Sequence, residues 1–314
     1  MHIVIPDDYQ DCVRTLGCFE KLSQHQVTIF NDHSSDIDVL VDRFADADAI
    51  VLTRERTALT AELLERLPKL QLVSQIGKVA AHIDLQACRR LGVSVAQGSG
   101  SGAATAELTW ALMLASRRNL VAEATRMKQG LWQGSLGQQL QGQRLGIWSY
   151  GRIGKQVAQY GQVFGMKVWV WGGAESTARA RDDGIDVAAS REDFFSGSDI
   201  VTLHIRLTDQ TRGIVDLADL ARMKSTALLV NTSRSELIAA GALETALKAG
   251  APGFAAVDVY DTEPLEAPHP LVDLPNALCT PHLGYVERDN YENYFGIAFD
   301  NINNFAAGEP TNLV

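Results

Sequence analysis

The sequence predicts an α/β protein with two domains, each built on a doubly wound parallel sheet. Short apolar runs alternate with helical patterns along almost all of its 314 residues. A Gly-Ser-Gly-Ser-Gly segment at 98–102 separates two such series. Because repeated β-α units bury their strands on both faces, each series predicts a parallel sheet of its own.

The first series predicts five strands and four helices. The strands are expected at 2–6, 27–30, 49–52, 70–74 and 93–96. The helices are expected between them, at 11–24, 36–46, 60–67 and 83–91.

The second series opens with one long helical pattern over 103–129, which suggests a bridging or dimer-forming helix. A strand over 145–148 and a helix that ends at Gly165 come next. Five further strands are expected at 167–171, 200–204, 227–231, 253–258 and 277–280.

The last segment predicts an amphipathic helix that ends at Gly308. Its apolar positions recur at steps of three and four residues: Tyr291, Phe295, Ala298, Ile302 and Phe305. Docking of this stripe on the first series would make one domain discontinuous, 1–100 plus 285–314. The other domain, 101–284, would be inserted into it.

Composition narrows the class of protein. The net charge of −10 argues against a nucleic-acid partner, and no apolar run reaches the ~20 residues that span a bilayer. The four cysteines are scattered, which suggests a reducing compartment and no structural metal site. No signal peptide is visible, so the expected location is the cytoplasm.

The segment 144–154 has the pattern of a phosphate-binding turn. A short apolar strand is followed by small residues at Ser149, Gly151 and Gly154 and then by a helix. This order presents a helix N-terminus to a pyrophosphate. Ser149 replaces the first glycine of G-x-G-x-x-G, which is tolerable if its φ is negative. On this motif alone, an ordinary strand-to-helix turn is the alternative.

Three later strands end in residues that suit acid–base chemistry. Arg234 follows one strand and is placed to pair with a carboxylate, or else to form a surface salt bridge. Glu263 and His282 follow the next two strands, so they are expected to meet. A carboxylate bonded to one imidazole nitrogen fixes the tautomer and favours the charged ring, which can then act as a general acid. A purely structural histidine is the alternative.

Four motifs in order resemble the D-isomer-specific 2-hydroxyacid dehydrogenase family. They are Gly151-Arg152-Ile153-Gly154, the run from Val230 to Arg234, the run from Asp258 to Pro264, and the run from Thr280 to Gly284. The resemblance implies a Rossmann NAD(P)-binding domain inserted in a flavodoxin-like substrate domain. It also implies hydride transfer between a nicotinamide cofactor and a small 2-oxo or D-2-hydroxy acid.

The resemblance also assigns roles to individual residues. Arg234 would hold the substrate carboxylate, His282 would transfer the proton, and Glu263 would orient His282. The substrate would also meet the loop of Gly77, Lys78 and Val79. The implied cofactor-binding residues are Ser149, Tyr150, Gly151, Arg152, Ile153, Gly172, His204, Ile205, Arg206, Thr211, Thr232, Asp258 and Gly284.

Two implications concern other partners. Trp132 matches a tryptophan that reaches the neighbouring subunit in some relatives, which implies a homodimer through 103–129 and 130–143; simple packing under its own loop is the alternative. Arg54, Arg56 and Lys78 would suit a substrate with a second negative group, although solvated surface charges are the simpler interpretation.

The residue at the end of the strand 167–171 does not decide between NAD and NADP. Relatives that bind NAD carry an acidic residue there for the ribose 2′-OH, whereas this chain has Gly172. Nearby polar and cationic residues could neutralise a 2′-phosphate: Ser176, Thr177, Arg179 and Arg206. The sequence therefore predicts relaxed selection between NAD and NADP.

Other functions share this fold. A dinucleotide-sensing corepressor and a phosphite dehydrogenase both remain alternatives, because fold alone does not decide function. Formate dehydrogenases pair the histidine with glutamine, so Glu263 argues against that activity.

Overall fold

The computed structural model describes residues 1–265 and 269–314, and the chain divides into two compact units. Met1–Ser101 and Val286–Val314 form the first unit, and Gly102–Tyr285 form the second. Each unit is a helix-covered parallel sheet, which confirms the predicted fold class.

The first unit contains a five-stranded sheet in the order β2-β1-β3-β4-β5. This order is flavodoxin-like, as predicted. The strands begin and end within two residues of their predicted positions: β1 His2–Ile5, β2 Gln26–Ile29, β3 Ala49–Leu52, β4 Leu72–Gln75 and β5 Ser94–Gln97. Three helices lie between them: α1 Ile37–Phe44, α2 Ala61–Glu65 and α3 Leu85–Leu91.

The helix predicted over 11–24 is wrong. Two short 3₁₀ segments, Val13–Thr15 and Gly17–Leu22, occupy this stretch. The buried Asp8 carboxylate accepts from the amides of Cys12 and Val13, at 3.1 and 3.0 Å. A side chain that captures these amides competes with the α-helical hydrogen-bond pattern.

The final helix of the chain, which we number α11, belongs to the first unit and spans Arg288–Ala306. The predicted apolar stripe is buried at Tyr291, Phe295, Ala298 and Ile302. Polar contacts add to this burial: Glu292 accepts from the Gly17 amide at 2.6 Å, within the same unit.

The second unit contains a seven-stranded parallel sheet in the order β12-β11-β10-β9-β6-β7-β8. The order reverses at β6, as in a Rossmann domain, and dinucleotides bind at such a switch point. The strands are β6 Arg144–Trp148, β7 Lys167–Trp171, β8 Asp186–Val187, β9 Ile200–Leu203, β10 Leu228–Asn231, β11 Phe254–Val257 and β12 Ala277–Cys279. The two-residue β8 was not predicted.

Seven helices in the described part of the second unit cover this sheet. They are α4 Ala103–Arg117, α5 Leu120–Lys128, α6 Arg152–Val163, α7 Ala174–Asp182, α8 Arg191–Gly197, α9 Leu217–Ala221 and α10 Ala242–Ala249. Buried apolar clusters lie on both faces of the sheet, around Ile147 and Val230 on one and around Phe194 and Leu229 on the other.

The single helix predicted over 103–129 is two helices, α4 and α5. Asn119 separates them with a φ of 52°. Asparagine enters the left-handed region more easily than most residues, so an interruption of the helix here is compatible with a strongly helical composition. Every residue of α5 is at least partly exposed.

Across the described ranges, the helices are all too short or too polar to cross a membrane.

Candidate active site

The turn between β6 and α6 has the geometry of a phosphate cradle. Gly151 precedes α6, and no side chain caps the first amides of this helix. A Cβ added to Gly151 would meet no atom within 4 Å, whereas one on Gly154 would overlap the Ser149 carbonyl. Gly151 therefore leaves room above the helix N-terminus for an anion, and Gly154 allows the helix to pack closely on the strand.

The conformation expected for Ser149 is wrong. Its φ is +81°, not negative, so the serine adopts the left-handed backbone that normally favours glycine. The Ser149 amide donates to the Trp171 carbonyl at 2.8 Å, which ties the turn to the end of β7. The neighbouring Tyr150 is buried, and its amide donates to Ser176 Oγ at 2.6 Å.

At the end of β7, where NAD-binding relatives carry an acidic residue, this chain has Gly172, and the side chain beside it is that of Ser176. A Cβ on Gly172 would lie 3.0 Å from Ser176 Oγ, so Ser176 fills the space that a larger side chain would need. Thr177 is buried and donates to the Ala174 carbonyl at 3.0 Å. Of the residues predicted to meet a 2′-phosphate, only the cations Arg179 and Arg206 are exposed.

A predicted cofactor segment follows β9. His204 Nε2 lies 3.0 Å from Thr202 Oγ1, while His204 Nδ1 is buried without a hydrogen-bond partner among the described residues. Burial lowers the pKa of His204 to about 3, so the ring is neutral near pH 7. Thr211 Oγ1 donates to the Arg206 carbonyl at 2.7 Å and so closes the loop between them.

Glu263 and His282 meet as predicted from their strands. His282 Nδ1 lies 2.5 Å from Glu263 Oε2. Glu263 Oε1 accepts from the Tyr260 amide at 2.8 Å, which holds the carboxylate in place. The His282 backbone is left-handed, with a φ of 51°, and its ring packs edge-on against Tyr285 at 5.3 Å.

Asp258 is fully buried between the ends of β11 and β12. Its Oδ1 accepts from Thr280 Oγ1 at 2.6 Å and from the Leu283 amide at 2.8 Å. Its Oδ2 accepts from the Gly284 amide at 2.8 Å. Burial raises the pKa of Asp258, and these donors oppose that shift. Asp258 thus fixes the loop that carries His282.

Arg234 lies three residues beyond β10, which pairs with β11. Asn231 shapes this loop: its Nδ2 donates to the Arg234 carbonyl at 2.8 Å, and its Oδ1 accepts from the Ser233 amide at 3.0 Å. Thr232 Oγ1 lies 2.7 Å from Thr109 Oγ1 of α4. The three strand ends that carry Arg234, Glu263 and His282 are therefore adjacent in one sheet.

The predicted substrate loop of the first unit follows β4. Gly77 is buried and has a φ of 76°, Lys78 is exposed, and Val79 is half-buried. A Cβ on Gly77 would overlap the Arg54 guanidinium, so the arginine lies directly against this glycine. Arg56 Nη1 donates to the Asp7 carbonyl at 2.6 Å. Both arginines are thus held against the carboxyl end of their sheet.

The sequence did not predict the residues whose hydrogen bonds orient the reactive side chains. Tyr260 positions Glu263, Thr280 and Leu283 position the Asp258 carboxylate, and Thr105 Oγ1 donates to the Gly284 carbonyl at 2.7 Å. All but Thr105 lie inside the quoted motifs. Their proximity in sequence to the reactive side chains was the available signal.

These residues fit a bound dinucleotide. At the carboxyl edge of the sheet, no side chain caps the first amides of α6, and there is space above Gly151 for an anion. The buried Nδ1 of His204 has no hydrogen-bond partner among the described residues and could bind a polar group of the cofactor. Within the described ranges, no group of three acidic, cysteine or histidine side chains is arranged to hold a metal ion. Fold and site together define a dinucleotide-dependent α/β oxidoreductase.

Comparison with known proteins gives the family. Residues 110–284 match the model of the D-isomer specific 2-hydroxyacid dehydrogenase, NAD binding domain. The glyoxylate reductase of Aeropyrum pernix is 36% identical over 292 residues, covering 88% of this chain and 85% of that enzyme. The hydroxypyruvate reductase of Thermotoga maritima is 30% identical over 268 residues, covering 84% and 86%.

A solved structure agrees with these relatives. The phosphoglycerate oxidoreductase from Vibrio cholerae o395 is similar with a TM-score of 0.96 and 49% identity, covering 98% of this chain and 99% of that one. The chain belongs to the D-isomer-specific 2-hydroxyacid dehydrogenase family, and the resemblance seen in the sequence is confirmed. It is an NAD(P)-dependent oxidoreductase, and the comparisons do not support the corepressor or phosphite dehydrogenase alternatives.

Proposed function

We propose that this chain reduces a small 2-oxo acid to the D-2-hydroxy acid, and catalyses the reverse oxidation, with His282 transferring the proton. The observation that carries this proposal is the Glu263–His282 pair. It lies on the same sheet edge as the phosphate cradle of β6 and α6.

The pair divides the two ring nitrogens between two tasks. Nδ1 is bonded to Glu263, so Nε2 is left to give a proton to the 2-oxo oxygen or to take it back. A bound nicotinamide supplies hydride to the 2-oxo carbon in the reducing direction. Glu263 stabilises the charged ring before the proton leaves, and Tyr260 keeps the carboxylate oriented.

Arg234 is the proposed partner of the substrate carboxylate. A guanidinium offers two parallel donors, which fix the orientation of the 2-oxo acid as well as its charge. We propose that the backbone amides of the loop of Gly77, Lys78 and Val79 also bind the substrate carboxylate. Asp258 and the predicted residues of the β6–α6 turn remain the proposed cofactor contacts.

The test is NAD(P)H oxidation with glyoxylate, hydroxypyruvate, pyruvate and bulkier 2-oxo acids, repeated with His282→Ala. The variant is expected to lose about 10²–10⁴-fold in turnover and to bind NADH within roughly twofold of wild type, because only the proton donor is removed. Turnover within ~10-fold of wild type would show that His282 is not the acid.

We also propose relaxed selection between NADH and NADPH. Gly172 offers no carboxylate to bind a 2′-OH or repel a 2′-phosphate, and the two cations predicted to meet that phosphate, Arg179 and Arg206, are exposed. The ratio of kcat/KM for the two cofactors, with one 2-oxo acid, tests this. A preference for NADH above ~100-fold corresponds to ~2.7 kcal/mol of discrimination and would exclude relaxed selection.

A substrate with a second anionic group is a further candidate. Arg54 packs on Gly77 instead of extending into solvent, and a 49% identical structure is described as a phosphoglycerate oxidoreductase. Phosphohydroxypyruvate and hydroxypyruvate differ only by the phosphate, so their kcat/KM ratio measures its value. Arg54→Met should lower that ratio by about 10-fold or more, since a charged hydrogen bond is lost. An unchanged ratio would remove this candidate.

We further propose a homodimer in the cytoplasm. Several large apolar side chains between α5 and β6 are exposed, including Trp132 at 73% and Leu136 at 97%. Exposed apolar side chains of this size within one segment of the chain are typical of a protein interface. The four cysteines are unpaired, which supports a reducing compartment.

A further inference from the structure

The phosphate turn carries an unusual backbone at Ser149. A serine in the left-handed region is strained, and such conformations persist only where the surrounding structure enforces them. In most turns of this type a glycine removes the problem. Some other contact must therefore hold the turn here.

That contact is made by α7 on the next residue, Tyr150. The Tyr150 amide donates to Ser176 Oγ at 2.6 Å, and the Tyr150 carbonyl accepts from Arg179 Nε at 3.2 Å. The phenol donates to Asp183 Oδ2 at 3.0 Å. Ser176 and Arg179 lie on α7 and Asp183 is its C-cap residue, at spacings of three and four residues, so one side of this helix and its C-terminal cap hold every polar group of Tyr150.

The surroundings of the Tyr150 phenol keep it protonated and hydrogen-bonded. Tyr150 is 3% exposed, and burial together with the Asp183 carboxylate raises its pKa to about 12, so it remains a donor at neutral pH. Asp183 is itself fixed by Lys155 of α6, whose Nζ lies 2.7 Å away. The turn is therefore joined to α7 and, through Asp183, to α6.

We infer that Tyr150 is a positioning residue for dinucleotide binding: its three hydrogen bonds to α7 and to the C-cap residue Asp183 hold Ser149 left-handed and so form the turn that glycine forms elsewhere. This inference rests on the proposed dinucleotide-dependent function. It assigns α7 a role at the pyrophosphate, in addition to its place beside Gly172, where the family resemblance implies that the ribose binds.

Tyr150→Phe tests the inference, since it removes only the hydroxyl. We expect the Kd of NADH and of NADPH, measured by fluorescence titration, to rise about threefold to tenfold alike, with kcat within roughly twofold. Ser149→Gly in the same chain should restore both Kd values to within about twofold of wild type, because glycine needs no enforcement. Tyr160→Phe, which removes the hydroxyl of a half-buried tyrosine of α6 that packs against Trp110, is the matched control and should bind both cofactors nearly as wild type does.

The outcomes separate positioning from simple stabilisation. A Tyr150→Phe variant with a lower Tm and unchanged Kd values would overturn the inference. A Tyr150→Phe, Ser149→Gly double variant whose Kd values stay as high as those of Tyr150→Phe would also overturn it. Amide hydrogen exchange at residue 150 needs no cofactor and should accelerate in Tyr150→Phe. Wild type that binds neither dinucleotide would contradict the proposed function, whereas unchanged exchange would contradict the role of α7.

Discussion

Glu263 and His282 form a short carboxylate–imidazole pair, with 2.5 Å between Oε2 and Nδ1, although 19 residues separate them in the chain. The second carboxylate oxygen is held by the Tyr260 amide. The carboxylate thus cannot rotate away from the ring without losing a hydrogen bond.

The first prediction concerns the charge of this pair. Glu263→Gln keeps an oxygen that can accept from Nδ1 but removes the negative charge, so kcat should fall about 10-fold; Glu263→Ala should lower it about 100-fold or more. Steady-state kinetics with saturating NAD(P)H measures both. Glu65→Gln, which alters a surface ion pair with Arg90, is the control. Equal activity of both Glu263 variants and wild type would exclude the orienting role.

The second prediction concerns Asp258. Its two oxygens accept three hydrogen bonds, and asparagine would turn one acceptor into a donor that faces another donor. Asp258→Asn should therefore lower the free energy of unfolding by about 1–3 kcal/mol. Urea denaturation of the chain without substrate measures this loss. A variant as stable as wild type would show that the three hydrogen bonds to the Asp258 carboxylate do not contribute to the free energy of unfolding.

The third prediction concerns pH. The folded-state pKa of His204 is lowered from 6.5 to about 3, so folding favours the neutral ring. Its contribution to stability is complete above pH 6.5 and is lost as the pH falls towards 3. Between pH 8 and pH 5, wild type should lose about 2 kcal/mol more than His204→Gln, whose side chain does not titrate. Denaturation curves at the two pH values provide the comparison, and parallel losses would contradict it.

The fourth prediction concerns self-association. Val121 of α5 and Leu136 of the following segment are 56% and 97% exposed. Val121→Glu with Leu136→Glu should shift the mass measured by light scattering from dimer to monomer, because two charges would be buried without partners. Val163 of α6 is 84% exposed, a fraction between those two, and Val163→Glu should leave the mass unchanged. A monomeric wild type would contradict the proposed dimer.

The strands other than β8 were predictable because each is a short, largely apolar run in a helix-covered sheet. The run Lys167–Trp171 was predicted without error, and the ends of β9 to β12 lie within one residue of expectation. The pairing of Glu263 with His282 followed from the same fact, since neighbouring parallel strands place their carboxyl ends together.

The errors concern backbone conformation, which the spacing of apolar residues does not determine. Asn119 breaks the helical pattern over 103–129, and Ser149 adopts a glycine-like φ. Asp8 similarly diverts the chain after β1 into 3₁₀ segments. The spacing of apolar residues predicts none of these outcomes. Asp8 accepts from amides only four and five residues further on, whereas the Ser149 amide donates to Trp171, which the folded chain brings close.

The two parts of the first unit are made at different times. Residues 102–285 lie between Met1–Ser101 and Val286–Val314, so a ribosome completes the Rossmann unit before α11 emerges. At typical rates of synthesis this interval lasts roughly 10 to 40 s. During it, Phe299 and Ile302, which become buried in the first unit, are not yet present. The nascent five-stranded sheet therefore lacks the cover that α11 later places beside β4 and β5, and we expect a chaperone to bind at this surface.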